Sequence, residues 1–190
     1  MRSHAKPHTA ERETDEIHYR YSVLRADFAS GQTIAVLHIG ANRTVIAVGQ
    51  GSQPQATWTL EIGSRKIANA YFKRVLPAPE EIEAAIVEIE DEISLARPLF
   101  AAAPTVLTND AAVRDIALAA GVGVGVGVGV GASITLTLDA VERTFERLVA
   151  TALRQLGHDL PQGTEFAATL TILRELMHHL KIPSITVRAE

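Results

Sequence analysis

The apolar positions of the chain alternate between strand-like and helix-like spacing, and the order of the two patterns predicts its elements. From Glu16 to Phe28, Ile17, Tyr21 and Leu24 recur at helical spacing. After the turn Ser30-Gly31-Gln32, Thr33-Ile34-Ala35-Val36-Leu37 is a short unbroken run of strand formers, as expected of a strand covered on both faces. Thr44 to Val48 repeats the pattern and closes in Gly49-Gln50-Gly51-Ser52-Gln53-Pro54, a loop of turn formers. In Gln55 to Ile62, Trp58, Leu60 and Ile62 alternate with Thr57, Thr59 and Glu61, the period of a half-buried strand. The links between these strands are short, which predicts an antiparallel meander.

Helical patterns then dominate. Ser64 is placed to cap a helix running to Leu76. Glu80 and Glu81 open a longer one that buries Ile82, Ile86, Ile89 and Ile93 and stops before Pro98. Thr105-Val106-Leu107 reads as a strand, followed by a helix from Asn109 to Ala120 with Val113, Ile116 and Ala117 inside. Asp139 and Glu142 make a capping-box-like start for a helix to Leu156 that buries Val141, Phe145, Leu148 and Ala152. A last helix from Thr164 carries Phe166, Leu170, Leu173, Met177 and Leu180; Pro183 ends it before the strand Ile185-Thr186-Val187. Residues 1–15 read as a flexible polar tail, and the strict glycine–valine alternation of 121–131 as a low-complexity linker. The expectation is one α/β domain over 16–190, with a mixed sheet, antiparallel strands within 33–62 and helices packed on it.

Composition narrows the function classes. A chain of 190 residues fits one domain with a sizeable core. A net charge of −4 gives no electrostatic footprint for nucleic acid or anionic lipid, so neither is expected as a partner. With no cysteine, disulfides and thiolate chemistry are excluded. The polar first twenty residues lack the apolar core of a signal peptide, and cytoplasm is the expected compartment.

Most candidate motifs fall to simple geometry. Every glycine of the 121–131 tract is at an odd position, whereas G-x-G-x-x-G needs a change of parity. His178 and His179 are adjacent on a helix and point about 100° apart, so they read as solvated helix-end histidines; no metal ligand set is expected. The acidic residues from Glu80 to Glu92 read as a solvated face. What is left is the turn His38-Ile39-Gly40-Ala41-Asn42-Arg43-Thr44 between two strands. Backbone N–H groups in such a turn can converge on an anion, with Asn42, Arg43 and Thr44 adding donors. An ordinary hairpin with polar turn residues explains the same pattern.

Val36-Leu37-His38-Ile39-Gly40-Ala41-Asn42-Arg43-Thr44, Leu60-Glu61-Ile62-Gly63-Ser64-Arg65-Lys66-Ile67, Pro77-Ala78-Pro79-Glu80-Glu81-Ile82 and Ala168 to Val187 follow one another in an order and spacing that resembles the exopolyphosphatase / guanosine pentaphosphate phosphohydrolase (Ppx/GppA) family. The first stretch stands where the family has its strand and D-I-G-G-G-S-T phosphate loop. The second is similar to L-x-L-G-A-V-R-L, and the third to the proline-acidic helix start that follows. The resemblance implies the second lobe of a duplicated actin-like ATPase, ribonuclease-H-like fold. It implies phosphoanhydride hydrolysis of polyphosphate or guanosine pentaphosphate, assisted by Mg²⁺. It places Glu16 at the position of the general base in the family's E-E-A-R segment. Gly40, Ala41, Asn42, Arg43, Thr44 and Lys66 become the phosphate-binding residues.

The departures from the family pattern are equally specific. The loop's aspartate is His38, its later glycines are Ala41 and Asn42, and its serine is Arg43. The second phosphate loop falls near Leu107-Thr108-Asn109-Asp110-Ala111-Ala112, which has no glycine and carries an acid that would repel phosphate. No first lobe with its D-x-G-S-N-S loop is present in this sequence. Two functions follow as expectations. One is an impaired phosphatase lobe completed in trans by a first lobe. The other is a non-catalytic binding or oligomerisation module, a homodimer included, derived from the same fold.

Overall fold

The computed structural model describes residues 7–101, 103–123, 133–154 and 160–188. Six strands form one sheet: β1 (Ile34–Ile39), β2 (Thr44–Gly49), β3 (Ala56–Leu60), β4 (Thr105–Thr108), β5 (Ser133–Thr137) and β6 (Ser184–Arg188), in the order β3-β2-β1-β4-β6-β5. The first three make the expected antiparallel meander, with Ile39 opposite Thr44 across the turn and Ile46 opposite Trp58. β4 runs parallel to β1 and β6 parallel to β4, while β5 closes the far edge antiparallel to β6. The sheet is therefore mixed. The described residues also form six α-helices: α1 (Pro7–Arg25), α2 (Ser64–Tyr71), α3 (Pro79–Ser94), α4 (Ala111–Ala119), α5 (Leu138–Arg154) and α6 (Thr164–His179).

Burial explains why β1 and β2 do not alternate. The larger core packs Ala35, Leu37, Ile39, Ile46 and Val48 under α2 to α6, while a second cluster packs Ile34, Val36, Val45, Ala47 and Leu107 under Ile17, Tyr21 and Leu24 of α1. Both faces of the central strands are thus covered, and either parity must be apolar. Tyr21 is tied down at its tip, where its hydroxyl donates to the Gly51 carbonyl at 3.1 Å. A Cβ on Gly49 would lie 2.7 Å from that hydroxyl, so the strand end admits only glycine there.

α6 is the axle of the larger core. It contacts α2, α3, α4 and α5, and Ala167, Ala168, Leu170, Ile172, Leu173, Leu176 and Met177 are all buried. A helix apolar on every side is one enclosed by other elements. Its two buried threonines satisfy their hydroxyls internally: Thr169 donates to Glu165 O and Thr171 to Ala167 O, both at 2.8 Å. The helix ends in a Schellman motif, with Ile182 N donating to Met177 O and Lys181 N to His178 O. Lys181 takes the left-handed conformation there (φ 56).

Several expectations need correction. The polar stretch through residue 15 was expected to be a tail, but α1 begins at Pro7, a residue preorganised for a first helical turn, and Glu13 reaches across to Arg43. The helix expected to run to Leu76 ends at Tyr71. Its cap position is Gly63, with Ser64 already inside the helix. Trp58, on the edge strand β3, stays 39% exposed although it shares a sheet face with buried Leu60, because among the described residues β3 pairs on one side only. The strand β5 was not foreseen, since glycine and valine precede it and its five residues pair with β6 alone. Residues 124–131 of the glycine–valine tract lie outside the described residues, as do 1–6 of the expected tail and the last two residues of the expected 139–156 helix.

Truncating Leu173, fully buried at the centre of α6, leaves a cavity and a lost transfer term. Leu173→Ala is expected to lower unfolding free energy by about 2–5 kcal/mol, read from the midpoint of a urea titration. A loss of only a few tenths would contradict an enclosed α6.

Candidate functional site

The turn at the end of β1 is shaped by its neighbours. Gly40 N donates to Arg43 O at 2.9 Å and closes it. The start of α2 then covers it: Ser64 N donates to Gly40 O (3.0 Å), while Arg65 N (2.9 Å) and Lys66 N (3.0 Å) donate to Ala41 O. Three amide donors of a helix N-terminus, which are otherwise left for an anion or a cap, are thus satisfied by the turn. The approach is so close that a Cβ on Gly63 would overlap the Asn42 carbonyl carbon and the Arg43 amide nitrogen. Gly40 is needed as well, because a Cβ there would meet Arg43 O at 2.9 Å and the His38 ring at 3.3 Å.

At the heart of the site lies Asp110, whose side chain is only 4% exposed. It stands at the cap position of α4 but makes no side-chain cap there. The carboxylate instead reaches over to the first loop. Ile39 N donates to its Oδ2 at 2.7 Å. Its Oδ1 lies 2.6 Å from His38 Nδ1 and accepts from Arg20 Nη1 at 3.0 Å. Arg20 also donates to Asn109 Oδ1 (2.7 Å) and, through Nε and Nη2, to Glu16 Oε1 (3.1 and 2.8 Å). One network therefore joins α1, the end of β1 and the start of α4. It places the expected second loop directly against the first.

Of the other expected binding residues, Arg43, Thr44 and Lys66 are partnered by protein. Arg43, 12% exposed at its side chain, donates through Nε to Glu61 (2.8 Å) and through Nη1 to Glu13 (3.0 Å). The hydrogen bond to Glu13 raises the guanidinium pKa above its ordinary value; burial opposes this and Glu61 adds to it. Lys66 is folded onto the Glu61 backbone carbonyl, with its Nζ 3.8 Å from the Glu61 carboxylate. Thr44 is buried and donates to Ile62 O at 2.8 Å. Asn42 is exposed at the tip and Ala41 is half-buried. Glu16 is the one expected residue that joins the Asp110 network, at its solvent edge with half its side chain exposed.

No protein-family model and no curated protein matches the sequence. Solved structures match the fold. A type II variant structure of the Aquifex aeolicus Ppx/GppA phosphatase superposes with a TM-score of 0.68 at 16% identity, covering 89% of this chain and 57% of that one. Another Aquifex aeolicus family member gives 0.67 at 19% identity, over 90% and 56%. An exopolyphosphatase from Cytophaga hutchinsonii gives 0.57 at 16% identity, over 92% and 58%. The fold is that of the Ppx/GppA phosphatases. The chain spans less than three-fifths of those solved chains, consistent with one lobe.

A Ppx/GppA phosphate loop is expected to work with a divalent cation, and the residues here do not fit one. A hard cation takes several oxygen ligands from carboxylates, carbonyls and water. The resemblance puts His38 at the place of the family's acid, and both oxygens of Asp110 are already engaged by an amide, an imidazole and a guanidinium. Arg20 already sets a positive charge against this carboxylate. Sequence reasoning missed Arg20, Glu13 and Glu61. Of these only Arg20, four residues after Glu16 on one helix, had a local signal.

Removing the hub carboxylate leaves Arg20 and the Ile39 amide without their partner. Asp110→Ala is expected to cost about 3–5 kcal/mol, the range for breaking one side of a buried ion pair, measured by guanidinium denaturation. A cost below about 1 kcal/mol, the range of surface pairs, would show that the network does not hold the loop.

Proposed function

We propose that this chain is a Ppx/GppA-type lobe that no longer hydrolyses phosphoanhydrides and serves as a binding or assembly module. The observation that carries this reading is the Asp110 carboxylate on the Ile39 amide, 2.7 Å away at the mouth of the loop. An oxygen of a phosphoryl group would need that donor, and an internal anion holds it. Loss of the loop acid to His38 and neutralisation of Arg43 by two glutamates point the same way. Phosphoryl transfer depends on positioned donors and a cation that take up developing charge, and here the Ile39 amide, Arg43, Thr44 and Lys66 each have an internal partner.

The partner this reading favours is a complementary lobe or a second copy of the chain. Tyr19 and Val23, four apart on α1 and 70% and 49% exposed, form an outward apolar pair beside the Asp110 network. The competing reading is a hydrolase lobe acting on polyphosphate or guanosine pentaphosphate with Mg²⁺, completed in trans. Glu16 would orient the attacking water, and the loop with Arg43 and Lys66 would hold phosphate. That reading requires Asp110 to leave the loop.

Phosphate release from polyphosphate with Mg²⁺, followed colorimetrically, separates the two. The expected result is no release above the protein-free blank for wild type and for Glu16→Gln alike. Release by wild type that Glu16→Gln abolishes would overturn the proposal and restore the hydrolase.

A further inference from the structure

The opposite end of the sheet carries a second polar cluster. The turn at 40–43 follows the C-terminal end of β1, while β4 and β6 run parallel to β1 and enter the sheet at its other end. There the last turn of α6 meets α3. His179 Nε2 lies 3.0 Å from Glu90 Oε1 and 3.3 Å from Glu175 Oε2, and the three donor atoms are all within 4.8 Å of one another. Glu175 and His179 are four apart and share one helix face. Glu90 comes from the other helix.

We propose that Glu90, Glu175 and His179 form a divalent transition-metal site of the zinc class. The Glu175 side chain is 2% exposed. Its Oε1 is held by Arg174, which itself stacks over Phe145 at 4.7 Å, and Oε2 is aimed at the cluster. Two carboxylates there converge on one imidazole nitrogen. That nitrogen offers at most one proton to both, so the two facing oxygens compete for a single hydrogen, while Arg174 offsets the charge of Glu175 from its other oxygen. A cation at their centre removes the conflict. Tetrahedral zinc with bonds near 2.0–2.1 Å sets ligand atoms about 3.3 Å apart, close to the two distances found. The imidazole selects a zinc-like ion over Mg²⁺ or Ca²⁺, which prefer all-oxygen sets. Arg174 plays the orienting part that an outer hydrogen bond plays for a ligating carboxylate. His179 also lines a cleft of about 930 Å³ with Arg97, Lys181, Ser184 and Thr186, which leaves the fourth position open to water or to an anionic ligand.

The test is calorimetric titration of chelator-treated protein with Zn²⁺ alone. Wild type is expected to bind one ion, and His179→Ala and Glu90→Gln to lose at least about tenfold in affinity, a loss that even outer-shell changes reach. His178→Ala is expected to bind as wild type does. Glu90 and His179 are both partly exposed, so these variants keep the fold, which circular dichroism checks. Co²⁺ in place of Zn²⁺ is expected to give the intense visible bands of tetrahedral coordination in wild type and to lose them in His179→Ala. No Zn²⁺ uptake by wild type, or uptake unchanged in both His179→Ala and Glu90→Gln, would overturn the proposal.

Discussion

The buried carboxylate of Asp110 binds together three segments far apart in sequence. It accepts the Ile39 amide at the end of β1, meets His38 on the same strand and pairs with Arg20 from α1. A carboxylate this enclosed is tolerated only when its lone pairs are used, and all three partners are needed to use them. Arg20 in turn fixes Glu16 and Asn109. The contact between the two loops and the tie from α1 to the end of β1 run through this one group.

That group also separates fold from chemistry. The mixed sheet and the helices packed on it give the fold of a Ppx/GppA lobe. Fold likeness does not carry activity with it, because activity resides in the side chains mounted on the fold. In this chain those side chains form internal ion pairs on both sides of the turn. Arg43 with Glu13 and Glu61 mirrors Arg20 with Glu16 and Asp110. Arg43 and Lys66, which could hold phosphate, are instead held by Glu13 and Glu61.

Much of the architecture was legible in the sequence because it rests on local pattern. The unbroken apolar runs of β1 and β2 and the isoleucine stripe of α3 each identify an element without knowledge of its neighbours. The first loop was legible by position, through the order of flanking segments. Other features depend on pairings between distant residues. Asp110 was read as an acid that repels phosphate, but its role depends on where β1 ends, 71 residues earlier. His179 was read as solvated because its partner Glu90 lies 89 residues away on α3, within a stretch that resembles an ordinary acidic face. The first half of α1 reads as a polar tail because its anchor, Arg43 on Glu13, is 30 residues distant. Strand β5 was hidden for a different reason, its pairing with β6 alone at the sheet edge.

The central claim is that the Asp110 carboxylate fills the anion position of the first loop, and the Ile39 amide reports on it directly. Nuclear magnetic resonance of ¹⁵N-labelled protein, titrated with tripolyphosphate at neutral pH, follows that amide and those of Gly40 to Arg43. The account predicts that the Ile39 resonance does not move, because its hydrogen bond is already taken. A saturable shift of Ile39 as tripolyphosphate is added would contradict it.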